Sequence, residues 1–290
     1  MNLQLAMRLG RISNLPTVWT NVLVGAVLAG AGLSEGRLPL LMLALSAFYV
    51  GGMFLNDAFD REFDAQHRPD RPIPSGQVSA QQVFGIGFGL LALGQLGVAF
   101  AGRQAGGVWP WAALASGLAL AAAIVFYDAH HKGNPLSPLI MGLCRVLVVT
   151  TAAWVWVPAL PTAVTLAGLA LLCHLIGLTY IAKQEHLNRV GALWPLGFLA
   201  LPLLYGLWLA WATPGAALPL LLYAAVLVFA LSRLRRRAPG DVPVAVVSLI
   251  AGMSLLDAVV LAGAGHAVPA MLAVAAFGLT LALQKWVSGT

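Results

Sequence analysis

Residues 38–64, LPLLMLALSAFYVGGMFLNDAFDREFD, combine the two patterns that decide the fold. The first part, residues 38–56, is almost entirely apolar, and a helix that crosses about 30 Å of hydrocarbon needs about 20 such residues. The second part, residues 56–64, carries four acidic side chains within one short segment. The stretch therefore predicts a membrane-spanning helix with a strongly acidic end.

The composition extends this prediction to the whole chain. Of its 290 residues, 60% are hydrophobic and 9% are charged, whereas soluble proteins carry about 25% charged residues. The mean hydropathy is +0.87. We therefore predict an integral, multi-pass membrane protein. The basic pI of about 9.8 is attributed to topology signals, so no nucleic-acid partner is expected. The two cysteines lie in apolar runs and indicate neither a disulfide framework nor a zinc site.

Polar or Pro/Gly-rich breaks divide the chain into ten apolar segments, which predicts an all-α transmembrane bundle in one domain, residues 1–290. The first segment is longer than the apolar core of a signal peptide, about 7–15 residues, so it is predicted to be an uncleaved span. Two breaks, at 157–161 and 263–267, are short and uncharged, and nine helices remain an alternative. The segments are 15–33, 38–56, 82–101, 108–127, 138–158, 162–182, 192–212, 216–232, 243–263 and 267–287.

The charges are distributed unevenly about these ten spans. All of the Lys and Arg residues fall on one predicted side except Arg37, Arg103 and Arg145. Positive residues mark the cytoplasmic side, so both termini and the loops after even-numbered helices are predicted to be cytoplasmic, in a bacterial-type inner membrane. The acids, except Glu35 and Asp257, lie on the same side, which topology alone does not require. This face is therefore predicted to hold the functional site.

The acidic end of the second span predicts a metal site. If the helix continues, Asp57, Asp60 and Asp64 share one face and Asn56 lies beside Asp60. Like charges on one face repel, and a bound cation removes that repulsion. Oxygen ligands of this kind suit Mg²⁺, whose remaining positions are commonly filled by water and substrate phosphates. Asn56, Asp57, Asp60 and Asp64 are therefore the predicted metal ligands.

The loop that follows, AQHRPDRPIPSG at 65–76, is stiffened by three prolines. Its Arg68 and Arg71 offer guanidinium groups that bind phosphate in a two-point geometry. An acidic metal site next to a basic loop suits a diphosphate leaving group, because the metal and the arginines stabilise the negative charge that develops on departure.

Asn-Asp-x-x-Asp-x-x-x-Asp at 56–64, followed by RPIPSG at 71–76, resembles the UbiA superfamily of intramembrane prenyltransferases. The resemblance implies helices around a central cavity, a prenyl diphosphate held through Mg²⁺, and transfer of the prenyl group to an aromatic or other lipophilic acceptor. Asp57, Asp60 and Asp64 would then be catalytic. Arg61, Arg68, Arg71, Lys132 and Lys183 would bind the phosphates.

The resemblance is incomplete at the family's second acidic motif, Asp-x-x-x-Asp. Alignment on Tyr180 places Gln184 and Asn188 at the two aspartate positions, with Glu185 adjacent. Amide oxygens can ligate Mg²⁺ but bring no charge, and Lys183 offers direct phosphate binding instead. Either one metal with basic residues suffices, or the chain has lost standard prenyl transfer.

Other polar residues extend the candidate site. Tyr127 and Lys132 resemble a family pair that contacts the diphosphate, although their spacing is five instead of four. Arg145, inside the fifth span, either snorkels to the interface or lines the cavity as a substrate ligand. Asp257 either orients an acceptor or makes a structural hydrogen bond.

Three functions fit these observations. The leading hypothesis is a Mg²⁺-dependent prenyltransferase in contact with membrane lipid. An alternative keeps the fold but binds or translocates a lipophilic or aromatic metabolite. A cation-coupled transporter fits the composition but not the RPIPSG loop. Prenyl chain length, acceptor and oligomeric state are left open by the sequence.

Overall fold

The computed structural model describes residues 1–103, 109–183, 194–236 and 238–287, and these residues form helices without strands. Short 3₁₀ turns, Ile12–Asn14, Trp194–Leu199 and Pro214–Ala216, precede three of the helices. The α-helices are α1 Leu3–Leu9, α2 Leu15–Leu28, α3 Leu38–Phe59, α4 Arg61–His67, α5 Ala80–Gly102, α6 Trp111–His130, α7 Ser137–Trp154, α8 Thr162–Ala182, α9 Ala200–Ala212, α10 Ala217–Arg236, α11 Asp241–Gly263 and α12 Ala267–Leu283.

The predicted all-α membrane bundle is confirmed. Within the described ranges, 8 helical segments are long and apolar enough to cross a membrane, and two shorter apolar ones, Ile12–Leu28 and Ala267–Leu283, accompany them. Each of the ten predicted segments overlaps one of these helices, although several helices extend a few residues beyond the predicted bounds. The two doubtful breaks are real, because α7 ends at Trp154 before α8 begins at Thr162, and α11 and α12 are separate.

The first span is shorter than predicted. The sequence indicated a run to residue 33, but α2 ends at Leu28. Gly30 adopts a positive φ of 91°, a conformation that glycine accepts at little cost and that terminates a helix. The apolar residues beyond it form a turn.

Helices α2 and α11 form the centre of the bundle. α11 is almost entirely buried and packs against α2, α8, α10 and α12, while α2 also packs against α7. Gly25 makes the contact between α2 and α7 possible, because a Cβ at this position would collide with the main-chain oxygen of Val149. Small residues commonly allow such close approach of membrane helices. The central pair therefore positions α7 and α8 around one cavity.

Three long-range contacts bring the chain ends and the polar loops to one end of the bundle. Asp60 lies 3.1 Å from Lys132, and Lys183 donates a hydrogen bond to the carbonyl oxygen of Asn134 at 2.7 Å. Near the termini, Gln284 donates to Asn14 at 2.6 Å. The segments that the sequence assigns to one membrane side therefore meet at one end, where the cavity opens.

Candidate active site

A cavity of about 580 Å³ lies at the polar end of the bundle. One wall is polar and comes from the Arg11 turn, α3, α4, the loop after α4 and the end of α6. The other wall is mainly apolar and comes mostly from α8 and α11. The polar and aromatic residues that line the cavity as a whole are Arg11, Asn14, Tyr49, Asn56, Asp57, Asp60, Phe63, Asp64, Arg68, Arg71, Tyr127, His131, Lys132, Arg145, Thr179 and Lys183.

The three predicted carboxylates line this cavity together. α3 ends at Phe59 and α4 begins at Arg61, so the expected continuous helix is interrupted at Asp60. Asp60 nevertheless keeps right-handed helical angles, and the amide of Asp64 donates to its carbonyl oxygen at 2.8 Å. Because the helical path is preserved through the junction, Asp57, Asp60 and Asp64 face the same side.

Basic side chains pair with two of these acids. Asp57 lies 3.2 Å from Arg11 and 3.8 Å from Arg71. Asp60 lies 3.1 Å from Lys132 and 3.6 Å from His131. Burial lowers the pKa of His131, more than the nearby Asp60 carboxylate raises it. The pairing offsets the cost of partly burying the carboxylates, and it places positively charged groups beside the acidic face.

Arg11 is a site residue that the sequence interpretation missed, because it was assigned only to topology. Its guanidinium donates to both Asn56 and Asp57 at 3.2 Å. Burial disfavours its charge, but the attraction of Asp57 and other groups prevails and raises the pKa of Arg11. Its φ of 42° is the one positive value among the described residues other than glycine. A strained backbone of this kind is often kept at functional sites.

Asp128 is a further acid that the sequence interpretation left outside the site. It is 4% exposed, and its Oδ1 accepts a hydrogen bond from Asn56 at 3.1 Å. Its Oδ2 has no hydrogen-bond partner within the described part of the chain. Since Asn56 also accepts from Arg11, the amide connects Arg11 to Asp128. In the sequence, the indication of a role for Asp128 was that it is a single acid at the end of an apolar segment.

The other predicted residues fall into two groups. Arg68, Arg71, Tyr127 and Lys132 line the cavity, and the Lys132 ammonium lies 3.3 Å from the centre of the Phe63 ring. Arg61 does not line it. Its guanidinium bonds the carbonyl of Ala58 and the carboxylate of Glu62, because one step along the helix from Asp60 turns its side chain away by about 100°.

The family profile described as UbiA prenyltransferase family matches residues 18–246. The chain belongs to this family. A digeranylgeranylglyceryl phosphate synthase from Methanopyrus kandleri is 40% identical over 88 residues, which cover 30% of this UbiA-family chain and 32% of the relative. The chain thus spans about a third of the length of this curated relative.

Two solved structures share the UbiA fold with this chain. The first has a TM-score of 0.62 at 17% identity, and the match covers 90% of this chain and 98% of that one. Its description reads "Structural and mechanistic insights into the biosynthesis of Digeranylgeranylglyceryl phosphate synthase in membranes". The other, a UbiA homologue from Archaeoglobus fulgidus bound to DMAPP and Mg²⁺, has a TM-score of 0.52 at 14% identity, with coverage of 96% and 99%.

At the second motif of this UbiA-family chain, the structure describes Lys183 but not the residues aligned with the family's acids. Gln184, Glu185 and Asn188 lie outside the described residues. Lys183 lines the cavity, where its ammonium donates to the Asn134 carbonyl and the Ser137 hydroxyl, both at 2.7 Å. Burial lowers the pKa of Lys183. Since both partners are neutral, its positive charge is not cancelled by an acid in these contacts.

Arg145 lies in the cavity wall, as one of the two interpretations of the sequence predicted. It is 8% exposed, so it does not extend to the surface. Its guanidinium donates to Asn21 at 3.2 Å, and the Asn21 amide donates to Asp257 at 2.7 Å. The sequence indicated Arg145 and Asp257 separately, but not the contacts through Asn21 that join three helices distant in the sequence.

The oxygen-bearing side chains in the cavity are of the type that binds one magnesium ion. Asn56, Asp57, Asp60 and Asp64 present oxygen atoms to one cavity, and Mg²⁺ prefers such ligands. Among the described residues, no three Asp, Glu, His or Cys side chains converge closely enough to hold a metal alone. The fit therefore requires further oxygens, which the phosphates of a substrate supply in many magnesium sites.

Proposed function

We propose that this integral membrane protein, as one domain of residues 1–290, transfers a prenyl group from a prenyl diphosphate to a lipophilic acceptor. One observation carries the proposal. The acids Asp57, Asp60 and Asp64 and the bases Arg11 and Arg71 share one wall of a cavity whose remaining wall is mainly apolar. That division matches a substrate with a diphosphate at one end and a hydrocarbon chain at the other.

The basic residues would hold the diphosphate. Arg68, Arg71 and Lys132 line the cavity beside the acids, and Arg groups bind phosphate oxygens at two points. Arg11, which like Arg71 lies beside Oδ1 of Asp57, would add a fourth positive charge. Bound Mg²⁺, held by Asn56, Asp57, Asp60 and Asp64, would supply charge neutralisation to the leaving diphosphate. Lys183, which directly follows α8, would complete phosphate binding. We propose the same role for Gln184, Glu185 and Asn188 from their position in the sequence.

Transfer requires one bond to break and one to form. The C1–O bond of the prenyl diphosphate breaks, and its electron pair leaves with the diphosphate oxygen. An electron pair of the acceptor then forms the new bond to C1, and the acceptor loses a proton. Tyr49, Tyr127 and Phe63 place aromatic rings in the same cavity, and ring faces stabilise a cation electrostatically.

The apolar wall would hold the prenyl chain and keep water from the allylic cation. Its residues come from α7, α8 and α11 and include Met141, Leu175, Leu178, Val246, Ile250 and Met253. Exclusion of water prevents hydrolysis of a reactive intermediate. Aromatic compounds and glycerophosphate lipids of the kind named in the relatives are the acceptors to test first. The positive-inside pattern supports a cytoplasmic active site.

A specific observation favours a second function. Arg11 and Lys132 already pair with Asp57 and Asp60, and the second motif carries amides where the family has carboxylates. A UbiA fold with such pairs suits a protein that binds or translocates a lipophilic or aromatic metabolite without transfer. The two functions differ in whether diphosphate is released.

The deciding experiment measures diphosphate release by purified protein supplied with prenyl diphosphates of several lengths together with an aromatic or a glycerophosphate acceptor, with and without Mg²⁺. We expect release that requires Mg²⁺ and falls at least about a hundredfold in Asp60→Asn, as for loss of a charge-stabilising group. Glu62→Gln is the matched control, since Glu62 is exposed and bonded to Arg61. Failure to bind any prenyl diphosphate would contradict the proposal, and binding without release would favour the second function.

A further inference from the structure

A buried polar chain leads from the cavity into the centre of the bundle. It begins at Arg145 in α7, continues through Asn21 in α2 and ends at Asp257 in α11. All three side chains are buried. Ionisable residues inside membrane helices are costly and commonly functional, and the diphosphate site described above does not use this chain.

The chain fixes Arg145 without neutralising it by direct contact. The Asn21 oxygen accepts from the guanidinium, and its amide group donates to Asp257, so both ends of the Asn21 side chain are engaged. A guanidinium has five N–H donors. Within the described residues, this hydrogen bond to Asn21 is the one that Arg145 makes. Donors therefore remain available on the side that lines the cavity.

Arg145 lies beside a part of α3 that precedes the carboxylate cluster. Its guanidinium carbon is 5.2 Å from the centre of the Tyr49 ring. Tyr49 precedes Asp57 by eight residues in α3, which corresponds to about 12 Å along the helix. Arg145 also borders a side pocket of about 70 Å³. Arg145 and the carboxylates therefore line one cavity next to different turns of α3.

The surroundings strengthen the attraction between Arg145 and an anion. The side pocket is lined mainly by apolar residues, including Val18, Phe48 and Leu120, and one acid, Asp128, also borders it. Charge interactions are stronger where water is scarce, and a buried cation whose donors lack partners is unfavourable. An anionic group at this position would satisfy those donors.

We propose that Arg145 binds the anionic group of the acceptor, a carboxylate or a phosphate, and that Asn21 and Asp257 are positioning residues that hold Arg145 for it. The identity of the ligand as the acceptor rests on the proposed function. A purely structural role, in which the three residues only connect α2, α7 and α11, would give no preference for an anion.

The test compares binding of two pairs of probes to the purified full-length protein in the absence of prenyl diphosphate. 4-Hydroxybenzoate is paired with its neutral methyl ester, and geranylgeranylglyceryl phosphate with neutral geranylgeranylglycerol. We expect at least one anion to bind about 10- to 100-fold more tightly than its neutral partner, the range for a hydrogen bond to a charged group. Since no turnover is required, failure of prenyl transfer does not affect this result.

Variants assign the preference to Arg145. Arg145→Met should abolish it while leaving affinity for the neutral probe unchanged, and Arg145→Lys should restore part of it. Arg103→Met is the control, because Arg103 follows the C-terminal end of α5, away from the cavity, and stacks over Trp109. A preference that survives in Arg145→Met, or that disappears in Arg71→Met instead, would overturn the inference, as would equal binding of both pairs in the wild type.

Positioning is tested separately from anion binding. Asn21→Leu removes the link and keeps a similar volume, so we expect about a fivefold to tenfold loss of the preference with unchanged affinity for neutral probes. Asp257→Asn should give a smaller loss. Equal weakening for neutral and anionic probes would indicate general loss of structure and would contradict a positioning role for Asn21 and Asp257.

Discussion

At the scale of single residues, the site depends on contacts between side chains far apart in sequence. The acidic face of Asp57, Asp60 and Asp64 follows from local helical spacing, so it could be predicted from the sequence. Arg11 could not, because its position beside Asp57 depends on how the first turn packs against α3. Asp128 reaches the site only through Asn56 on another helix.

Arg11→Met tests the residue that the sequence interpretation missed. The substitution removes the cation nearest to Asp57 and one partner of Asn56. We expect KM for the prenyl diphosphate to rise about 10- to 100-fold, because hydrogen bonds to charged groups contribute about 1.5–3 kcal/mol. Diphosphate-release kinetics measure the effect.

Arg8→Met is the control for this substitution. Arg8 is an exposed arginine three residues earlier and does not line the cavity. If both variants raise KM equally, the effect comes from net charge near the N-terminus, and Arg11 has no specific role at the diphosphate.

At the scale of helices, close packing of small residues decides which segments surround the cavity. The apolar pattern predicted the spans but not their neighbours, since most spans are apolar on every side. Ridges and gaps such as that at Gly25 determine the pairing of α2 with α7. This explains why the helices were predictable and why the meeting of Arg145, Asn21 and Asp257 was not.

Gly25→Ala tests the contact between α2 and α7. A methyl group here would collide with the Val149 carbonyl oxygen, so the helices must separate. Overpacking costs about 1–3 kcal/mol, and we expect a melting temperature several degrees below that of the wild type, measured by thermal unfolding in detergent.

Gly85→Ala in α5 provides the comparison, since no atom lies within 4 Å of the added methyl group. It should leave the melting temperature unchanged or raise it, because alanine favours a helix by about 1 kcal/mol relative to glycine. Equal destabilisation by both substitutions would rule out the proposed steric cause.

At the scale of the whole molecule, the small number of charged residues indicates both the orientation of the protein in the membrane and the position of the site. The sequence predicted the common end of the polar loops from charge placement alone, and contacts such as that of Asp60 with Lys132 agree with it. The membrane side that this end faces is a prediction from the same charges. The contribution of Gln184, Glu185 and Asn188 also stays a prediction, because they fall outside the described residues.

Cysteine labelling tests the orientation. In a Cys144→Ala, Cys173→Ala background, Gln77→Cys lies in a loop predicted to be cytoplasmic and Arg103→Cys at the opposite end; both positions are exposed. In intact bacterial cells, a membrane-impermeant maleimide should label position 103 and reach position 77 only after permeabilisation. The reverse pattern would show that the positive-inside interpretation is wrong.

The pairing of Asp57 with Arg11 and of Asp60 with Lys132 has a consequence for ionic strength. Substrate entry would exchange these internal partners for magnesium and phosphate, so positive and negative groups stay matched before and after binding. Screening by dissolved salt then acts similarly on both states. Affinity for the prenyl diphosphate should therefore vary little with salt concentration, unlike binding at an exposed basic surface.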